Sequence, residues 1–124
     1  MICSDMSTMV ALLAGDSGRD VDQAAQALRQ GHLVLAPVSV TELFSDRELP
    51  SIIETSILSV PQLGIIPGYW ERAGRLRAML MRHQHRQKIA DTLIAQSCLD
   101  HQVPLITRDR DFLAFQKYAG LKLL

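Results

Sequence analysis

The alternation of short apolar runs with longer helical segments constrains the fold of this chain more than any other feature. Residues 33–35 are Leu-Val-Leu, and Ala36 and Pro37 close the run. A short run that is apolar at every position is typical of a strand buried on both faces, as in a parallel sheet. Residues 69–80 instead carry apolar side chains at helical spacing. Strands that alternate with helices in this way predict βαβ units.

The predicted elements fill the chain without a repeat, a low-complexity tract or a linker, so we expect a single domain over residues 1–124. The expected class is α/β, with a short, mostly parallel sheet of about four or five strands and helices on both faces. The predicted strands are residues 1–3, 33–35, 104–106 and an edge strand at 121–123, with 63–66 as a further candidate. The predicted helices are residues 8–14, 20–30, 39–44, 51–58, 69–80, 89–99 and 111–117.

Composition excludes several classes of protein. Hydrophobic residues make up 48% of the chain, which is too much for a disordered protein. No apolar run approaches the ~20 residues that a membrane-spanning helix needs. Residues 1–15 contain Asp5 and no basic residue, so we interpret them as folded protein and not as a signal peptide. Cys3 and Cys98 form no CxxC pattern, which predicts two reduced thiols in a cytoplasmic protein.

The net charge of zero hides an uneven distribution of charge. The whole chain has 13 basic and 13 acidic residues, which argues against binding nucleic acid by bulk charge. Residues 1–71, however, carry three basic and nine acidic residues, for a net charge of −6. Residues 72–124 carry ten basic and four acidic residues, for a net charge of +6. This distribution favours an acidic pocket beside a basic surface.

Acidic side chains follow several of the predicted strands. Asp5 ends the first strand, Glu42 lies in the helix after the second, and Asp109 and Asp111 follow the third. Asp91 lies near the start of a helix. Each has an ordinary structural explanation: a helix N-cap, a turn, a solvated helix position or an interaction with a helix dipole. In a parallel sheet, however, these positions converge on the carboxyl edge of the strands, where ligands bind.

Carboxylates crowded at one edge point to a cation. Like charges at close range raise one another's pKa values unless a cation lies among them. All-oxygen ligation suits Mg²⁺ or Mn²⁺, both of which also bind phosphates. A site of this kind can activate a water molecule and stabilise the leaving oxygen when a phosphodiester bond is cleaved.

Four segments around these acids resemble the acidic blocks of PIN-domain nucleases, and most closely the VapC-type toxins of bacterial toxin–antitoxin systems. They are residues 2–7 (ICSDMS), 40–43 (VTEL), 90–95 (ADTLIA) and 105–112 (LITRDRDF). A single T-x-D-x-D-F motif would be a weak signal, whereas four blocks in order over nearly the whole chain are a strong one.

The resemblance implies a PIN fold and a Mg²⁺- or Mn²⁺-dependent endoribonuclease. The catalytic and metal-binding positions that match the family are Asp5, Glu42, Asp91 and Asp109, and the supporting positions are Ser7, Thr107 and Asp111. Met6 stands where the family usually has Thr or Ser, which removes a hydroxyl group but no carboxylate. The resemblance also implies a cognate VapB-like antitoxin partner and a homodimer.

A basic stripe is predicted on the helix that begins at Tyr69. Arg72, Arg75, Arg82 and Arg86 follow helical spacing, and no acidic residue falls between 72 and 88. Guanidinium groups on one helix face can bind the phosphates of RNA, although a solvated face or a surface for an acidic partner would have the same pattern. Arg108 and Arg110 alternate with Asp109 and Asp111, where they either contact phosphate or offset the acids.

Two alternatives to a nuclease are open at this point. The first is a catalytically silent PIN-like module that binds RNA or protein, although the chain retains all four acids. The second is another α/β protein with acids at its strand ends. A phosphatase of the D-x-D type is disfavoured because Asp5 is followed by Met6 and Ser7. Nucleotide-binding glycine loops are absent from the sequence.

Overall fold

The computed structural model describes all 124 residues as alternating strands and helices. The strands are β1 (Ile2–Ser4), β2 (Leu33–Leu35) and β3 (Leu105–Ile106). The helices are α1 (Met6–Leu13), α2 (Arg19–Arg29), α3 (Pro37–Phe44), α4 (Ser51–Ser59), α5 (Tyr69–Arg82), α6 (Ile89–His101) and α7 (Leu113–Ala119). A 3-10 turn (Arg110–Phe112) precedes α7. None of these helices is long and apolar enough to cross a membrane.

The sheet is parallel throughout, with strand order β2-β1-β3. Cys3 of β1 pairs with Val34 on one side and with Leu105 on the other. All three strands therefore point the same way, and their carboxyl ends meet at one edge. Asp5 follows β1 directly and Thr107 follows β3 directly, so the parallel pairing alone brings these two distant residues together.

The prediction of four or five strands is wrong, because the sheet has three. The candidate strands at 63–66 and 121–123 are reduced to single parallel bridges, Gln62 with Leu35 and Leu123 with Leu105. Neither ladder continues. Pro61 has no N–H group to donate to β2, and β3 is only two residues long before the chain turns towards the acidic edge.

Helices cover both faces of the sheet, as predicted. Cys3, Val34 and Leu105 point to one face, where they pack in a core of 15 buried residues with side chains of α5, α6 and α7. Leu33 and Leu35 point to the other face, where they pack with side chains of α1 to α4. Complete burial of one such leucine contributes roughly 1.5–3 kcal/mol. This alternation explains why β2 had to be apolar at every position.

Candidate metal centre

Asp5 is the most buried acid at the carboxyl edge, and its carboxylate is held on several sides. It is the N-cap of α1, and its Oδ1 accepts the N–H of Thr8 at 3.2 Å. Thr107 Oγ1 donates to Oδ2 at 2.6 Å, and Ser7 Oγ lies 2.8 and 2.9 Å from the two oxygens. Burial raises the pKa of Asp5, and these hydrogen bonds oppose that shift. The carboxylate is thus fixed in position.

Asp91 lies in the first turn of α6 and lacks such support. Its Oδ2 is buried and has no hydrogen-bond partner. Burial, followed by the negative charge of Asp109, raises the pKa of Asp91 from 3.8 to about 6. A buried carboxylate oxygen without a donor is rare in folded proteins, because its desolvation is not compensated. The atom is therefore placed to meet a group that the protein itself does not supply.

Asp109 and Asp111 approach Asp91 from the turn after β3. Asp109 caps this turn, since its Oδ1 accepts the N–H of Asp111 at 2.9 Å. Its own N–H donates to Thr107 Oγ1 at 2.9 Å. Asp91, Asp109 and Asp111 each offer an oxygen, and these three atoms lie within 4.8 Å of one another. Asp111, matched only to a supporting position by the resemblance, is thus in the tightest group of acids.

Glu42 approaches the same region from α3, where its side chain is half-buried. Burial is the main reason that its pKa is raised, and the charge of Asp5 adds to the effect. The charge of Glu42 in turn raises the pKa of Asp91. Asp5 and Glu42 lie outside the group of three, yet they are linked to it by charge, because Asp109 adds to the raised pKa of Asp5 and Glu42 adds to that of Asp91.

The donor set fits a hard divalent cation. It consists of carboxylate oxygens, one of them buried and unpaired, with no nitrogen or sulfur ligand among them. Such a set matches the preference of Mg²⁺ and Mn²⁺ for oxygen. The residues that could hold the ion are Asp91, Asp109 and Asp111, with Asp5 and Glu42 beside them.

Two of the arginines predicted to bind RNA are engaged within the protein. Arg72 forms a two-pronged ion pair with Asp100 at 2.6 and 2.9 Å and donates to the carbonyl of Pro67. Arg108 forms a similar pair with Asp20 at 2.8 Å for both contacts. Neither guanidinium is free.

The other cations lie differently from the predicted stripe. The helical stripe does not extend to Arg86, because α5 ends at Arg82 and His83 is its C-cap. Arg75, Arg82, Arg86 and Arg110 are exposed, and none of them forms an ion pair.

Sequence reasoning missed two side chains that hold the acidic turn. Asp20 binds Arg108, and Gln87 donates its side-chain amide to the carbonyl of Asp111. Arg77 fixes Gln87 in turn by donating to its carbonyl at 2.8 Å. Asp20 lies 88 positions from Arg108 and outside every motif, so spacing carried no signal for their pairing.

The fold and the acidic edge together define an α/β domain with a parallel sheet whose carboxyl edge suits a divalent cation. The sequence model of the PIN domain matches residues 2–120, and the chain therefore belongs to the PIN domain family. This match confirms the resemblance that the four acidic segments indicated. No curated protein matches the chain.

Several solved toxin–antitoxin structures share the fold. VapBC-1 from nontypeable Haemophilus influenzae has a TM-score of 0.74 and 19% identity, over 100% of this chain and 97% of the matched chain. VapBC2 from Rickettsia felis, bound to a promoter DNA fragment, has a TM-score of 0.74 and 16% identity, over 100% and 98%. VapBC-5 from Mycobacterium tuberculosis has a TM-score of 0.70 and 21% identity, over 98% and 95%. At these identities the likeness is one of fold.

Proposed function

We propose that this protein is a Mg²⁺- or Mn²⁺-dependent endoribonuclease and the toxin of a VapBC-like toxin–antitoxin pair. The observation that carries the proposal is the buried, unpartnered Oδ2 of Asp91 beside Asp109 and Asp111. A divalent ion bound by such carboxylates would supply the positive charge that activates water and stabilises a leaving ribose oxygen.

The five acids divide into three roles. Asp91, Asp109 and Asp111 hold the ion, because their oxygens form the closest group. Asp5, fixed by Ser7 and Thr107, completes the negative charge at the base of the site. Glu42 is suited to accept a proton from the attacking water, because burial raises its pKa and a more basic carboxylate is a better proton acceptor.

The basic residues that remain free are the proposed contacts to RNA. Arg75, Arg82, Arg86 and Arg110 are exposed and have no acidic partner. Lys88 is also exposed and lies at the N-cap of α6, three residues before Asp91. These side chains can bind the phosphates on either side of a bond that the acidic site cleaves.

Cleavage of total RNA tests the enzymatic part of the proposal. We expect the native protein to cut RNA with Mg²⁺ or Mn²⁺ and not with EDTA, and we expect Asp91→Asn and Asp109→Asn to be inactive. Asp22→Asn is a matched control, because Asp22 is an exposed acid in the first turn of α2. Intact RNA with the native protein would instead support a silent PIN-like binding module. Cutting that survives EDTA and both substitutions would remove the metal from the proposal.

The toxin part rests on the matched toxin–antitoxin complexes and on a groove beside the site. Met6, Val10, Leu13 and Ile53 line a groove of about 250 Å³ that also includes Glu42. Such a groove suits an apolar segment of an antitoxin.

We further propose a homodimer, and exposed apolar side chains such as Trp70 and Ile89 are consistent with one. Co-purification with the product of a neighbouring small gene, followed by light scattering, tests both proposals. A monomer that retains no such partner would contradict them.

A further inference from the structure

We propose that Asp20 is a positioning residue of the nuclease site, because its ion pair with Arg108 fixes the two segments that hold Asp5 and Asp109. The inference rests on the proposed function, and it assigns Arg108 to the protein instead of to the RNA. Asp20 lies in the first turn of α2, outside all four acidic segments of the sequence.

The contact between the two side chains is bidentate. Asp20 Oδ2 lies 2.8 Å from Arg108 Nε, and Asp20 Oδ1 lies 2.8 Å from Arg108 Nη2. Parallel contacts of this kind fix both the distance and the plane of the guanidinium. The guanidinium holds the pKa of Asp20 at about 2, well below its usual range, so the pair is charged at neutral pH. Arg108 is consequently held against α2.

The same pair is connected to both segments of the site. On one side, Thr8 Oγ1 donates to Asp20 Oδ2 at 3.0 Å, and the N–H of Thr8 donates to Asp5. On the other side, the N–H of Arg108 donates to Ser7 Oγ at 3.1 Å. Arg108 lies between Thr107, which donates to Asp5, and Asp109. Movement of Arg108 would therefore move groups on either side of it.

Gly18 shows that the space around the pair is closely filled. A Cβ atom at this position would lie 2.7 Å from Asp20 Oδ1 and 3.0 Å from Arg108 Nη2. The φ angle of Gly18 is +150°, a backbone conformation that residues with a Cβ atom rarely adopt. Gly18→Ala should consequently displace the pair without removing either charge.

The two possible roles of Arg108 predict different kinetics. If Arg108 contacts phosphate, Arg108→Gln should raise KM and reduce the salt dependence of RNA binding, whereas Asp20→Asn should free the arginine and tighten binding. If the pair positions the site, loss of either Asp20 or Arg108 should instead lower kcat and Mn²⁺ affinity to the same extent. Since the two residues would act as one unit, the double variant should lose no more kcat or Mn²⁺ affinity than the more impaired of the two single variants.

The experiment compares Asp20→Asn, Arg108→Gln and the double variant with Asp22→Asn. Asp22 is the matched control, because it is an exposed acid two residues further along α2. The readouts are kcat and KM on RNA at saturating Mn²⁺, and Mn²⁺ affinity by calorimetry without RNA. Each single variant should lose about 10- to 100-fold in Mn²⁺ affinity and also lose kcat, with KM for RNA unchanged. Asp20→Glu, which keeps the carboxylate, should recover part of the loss, and Gly18→Ala should reproduce it.

Three outcomes would overturn the inference. The first is Asp20→Asn behaving like Asp22→Asn in every readout while thermal unfolding shows both to be folded. The second is Arg108→Gln raising KM alone. The third is an additive double variant. Failure of the proposed function is distinguishable, because the native protein itself would then neither cut RNA nor bind Mn²⁺. Should the Asp20 variants unfold, Gly18→Ala carries the same test with both charges retained.

Discussion

Two opposing electrostatic effects act on the carboxylate of Asp91. Its place in the first turn of α6 puts the carboxylate near the positive end of the helix dipole, which favours the charged form. Burial and the acids around it favour the neutral form and prevail, so the pKa is raised to about 6. The ionised carboxylate therefore destabilises the fold unless a cation compensates its charge. Such local destabilisation is common where a site is arranged for function.

The pH dependence of stability should report this residue. With a pKa of about 6 in the folded state against 3.8 ordinarily, Asp91 keeps its proton longer when folded than when unfolded. Its favourable contribution is complete below about pH 4 and lost as the pH rises to about 6. We expect the free energy of unfolding in EDTA to fall over this range, and to fall less in Asp91→Asn. Denaturant titrations at several pH values measure it, and parallel curves for the two proteins would contradict the pKa shift.

The hydroxyl group of Thr107 should matter more than its size. It donates to Asp5 Oδ2 at 2.6 Å and accepts the N–H of Asp109 at 2.9 Å. Thr107→Val keeps the shape and removes both contacts, so the pKa of Asp5 should rise further. Mn²⁺ affinity should fall by about 10- to 100-fold. Calorimetry measures the loss. Thr107→Ser should restore most of the affinity, and the exposed Thr55→Val should have no effect.

At the scale of elements, the part of α5 that carries Arg72 contacts α6, although the sequence made Arg72 a candidate for binding RNA. Arg72 reaches across to Asp100 of α6, and Gln96 donates to the same carboxylate at 2.8 Å. Tyr69 Oη donates to the carbonyl of Leu93 at 2.7 Å. These contacts fix α5 against the helix that carries Asp91. Arg72 therefore has a structural role that its helical spacing did not reveal.

Arg72 and Arg75 should separate these two roles. Arg72→Gln should lower the stability only modestly, since the arginine side of the pair is exposed, and leave the salt dependence of RNA binding unchanged. Arg75→Gln should leave the stability unchanged and reduce the slope of log K for RNA binding against log salt concentration by about 1. Chemical denaturation and RNA-binding titrations at several salt concentrations measure these effects. The opposite assignment would hold if Arg72→Gln altered the salt slope.

At the scale of the whole molecule, the acidic edge is assembled from separate parts of the chain. Asp5 follows β1, Glu42 comes from α3, Asp91 from α6, and Asp109 and Asp111 from the turn after β3. Both halves of the sequence contribute to this edge. The acidic half supplies Asp5 and Glu42, and the basic half supplies the other three acids together with the exposed arginines. A cation at the edge would connect elements on both sides of the sheet.

Binding of a cation should therefore stabilise the whole fold. Mass action predicts about 2.7 kcal/mol at a metal concentration one hundred times Kd. We expect Mn²⁺ or Mg²⁺ to raise the Tm by several degrees in the native protein and not in Asp91→Asn. Thermal unfolding against NaCl of equal ionic strength provides the control. An equal rise in the native protein and the variant would show that the effect is not at this site.

The sequence by itself indicated the α/β class, the parallel sheet covered on both faces and the gathering of acids such as Asp5 and Asp109 at its carboxyl edge. These features follow from local patterns, because a fully apolar run such as residues 33–35 has few places to go except a sheet buried on both sides. The four acidic segments also sufficed to indicate the family. Each of these signals lies within a few consecutive residues.

Only the tertiary structure decided the number of strands, the pairing of Arg72 with Asp100 and the pairing of Arg108 with Asp20. A ladder ends where neighbouring backbone groups cease to align, as after Gln62, and no local pattern records that alignment. An ion pair depends on the positions of two side chains that are 28 or 88 residues apart. An arginine in the sequence looks the same whether it meets a carboxylate of its own chain or a phosphate, and only its neighbours in space distinguish the two.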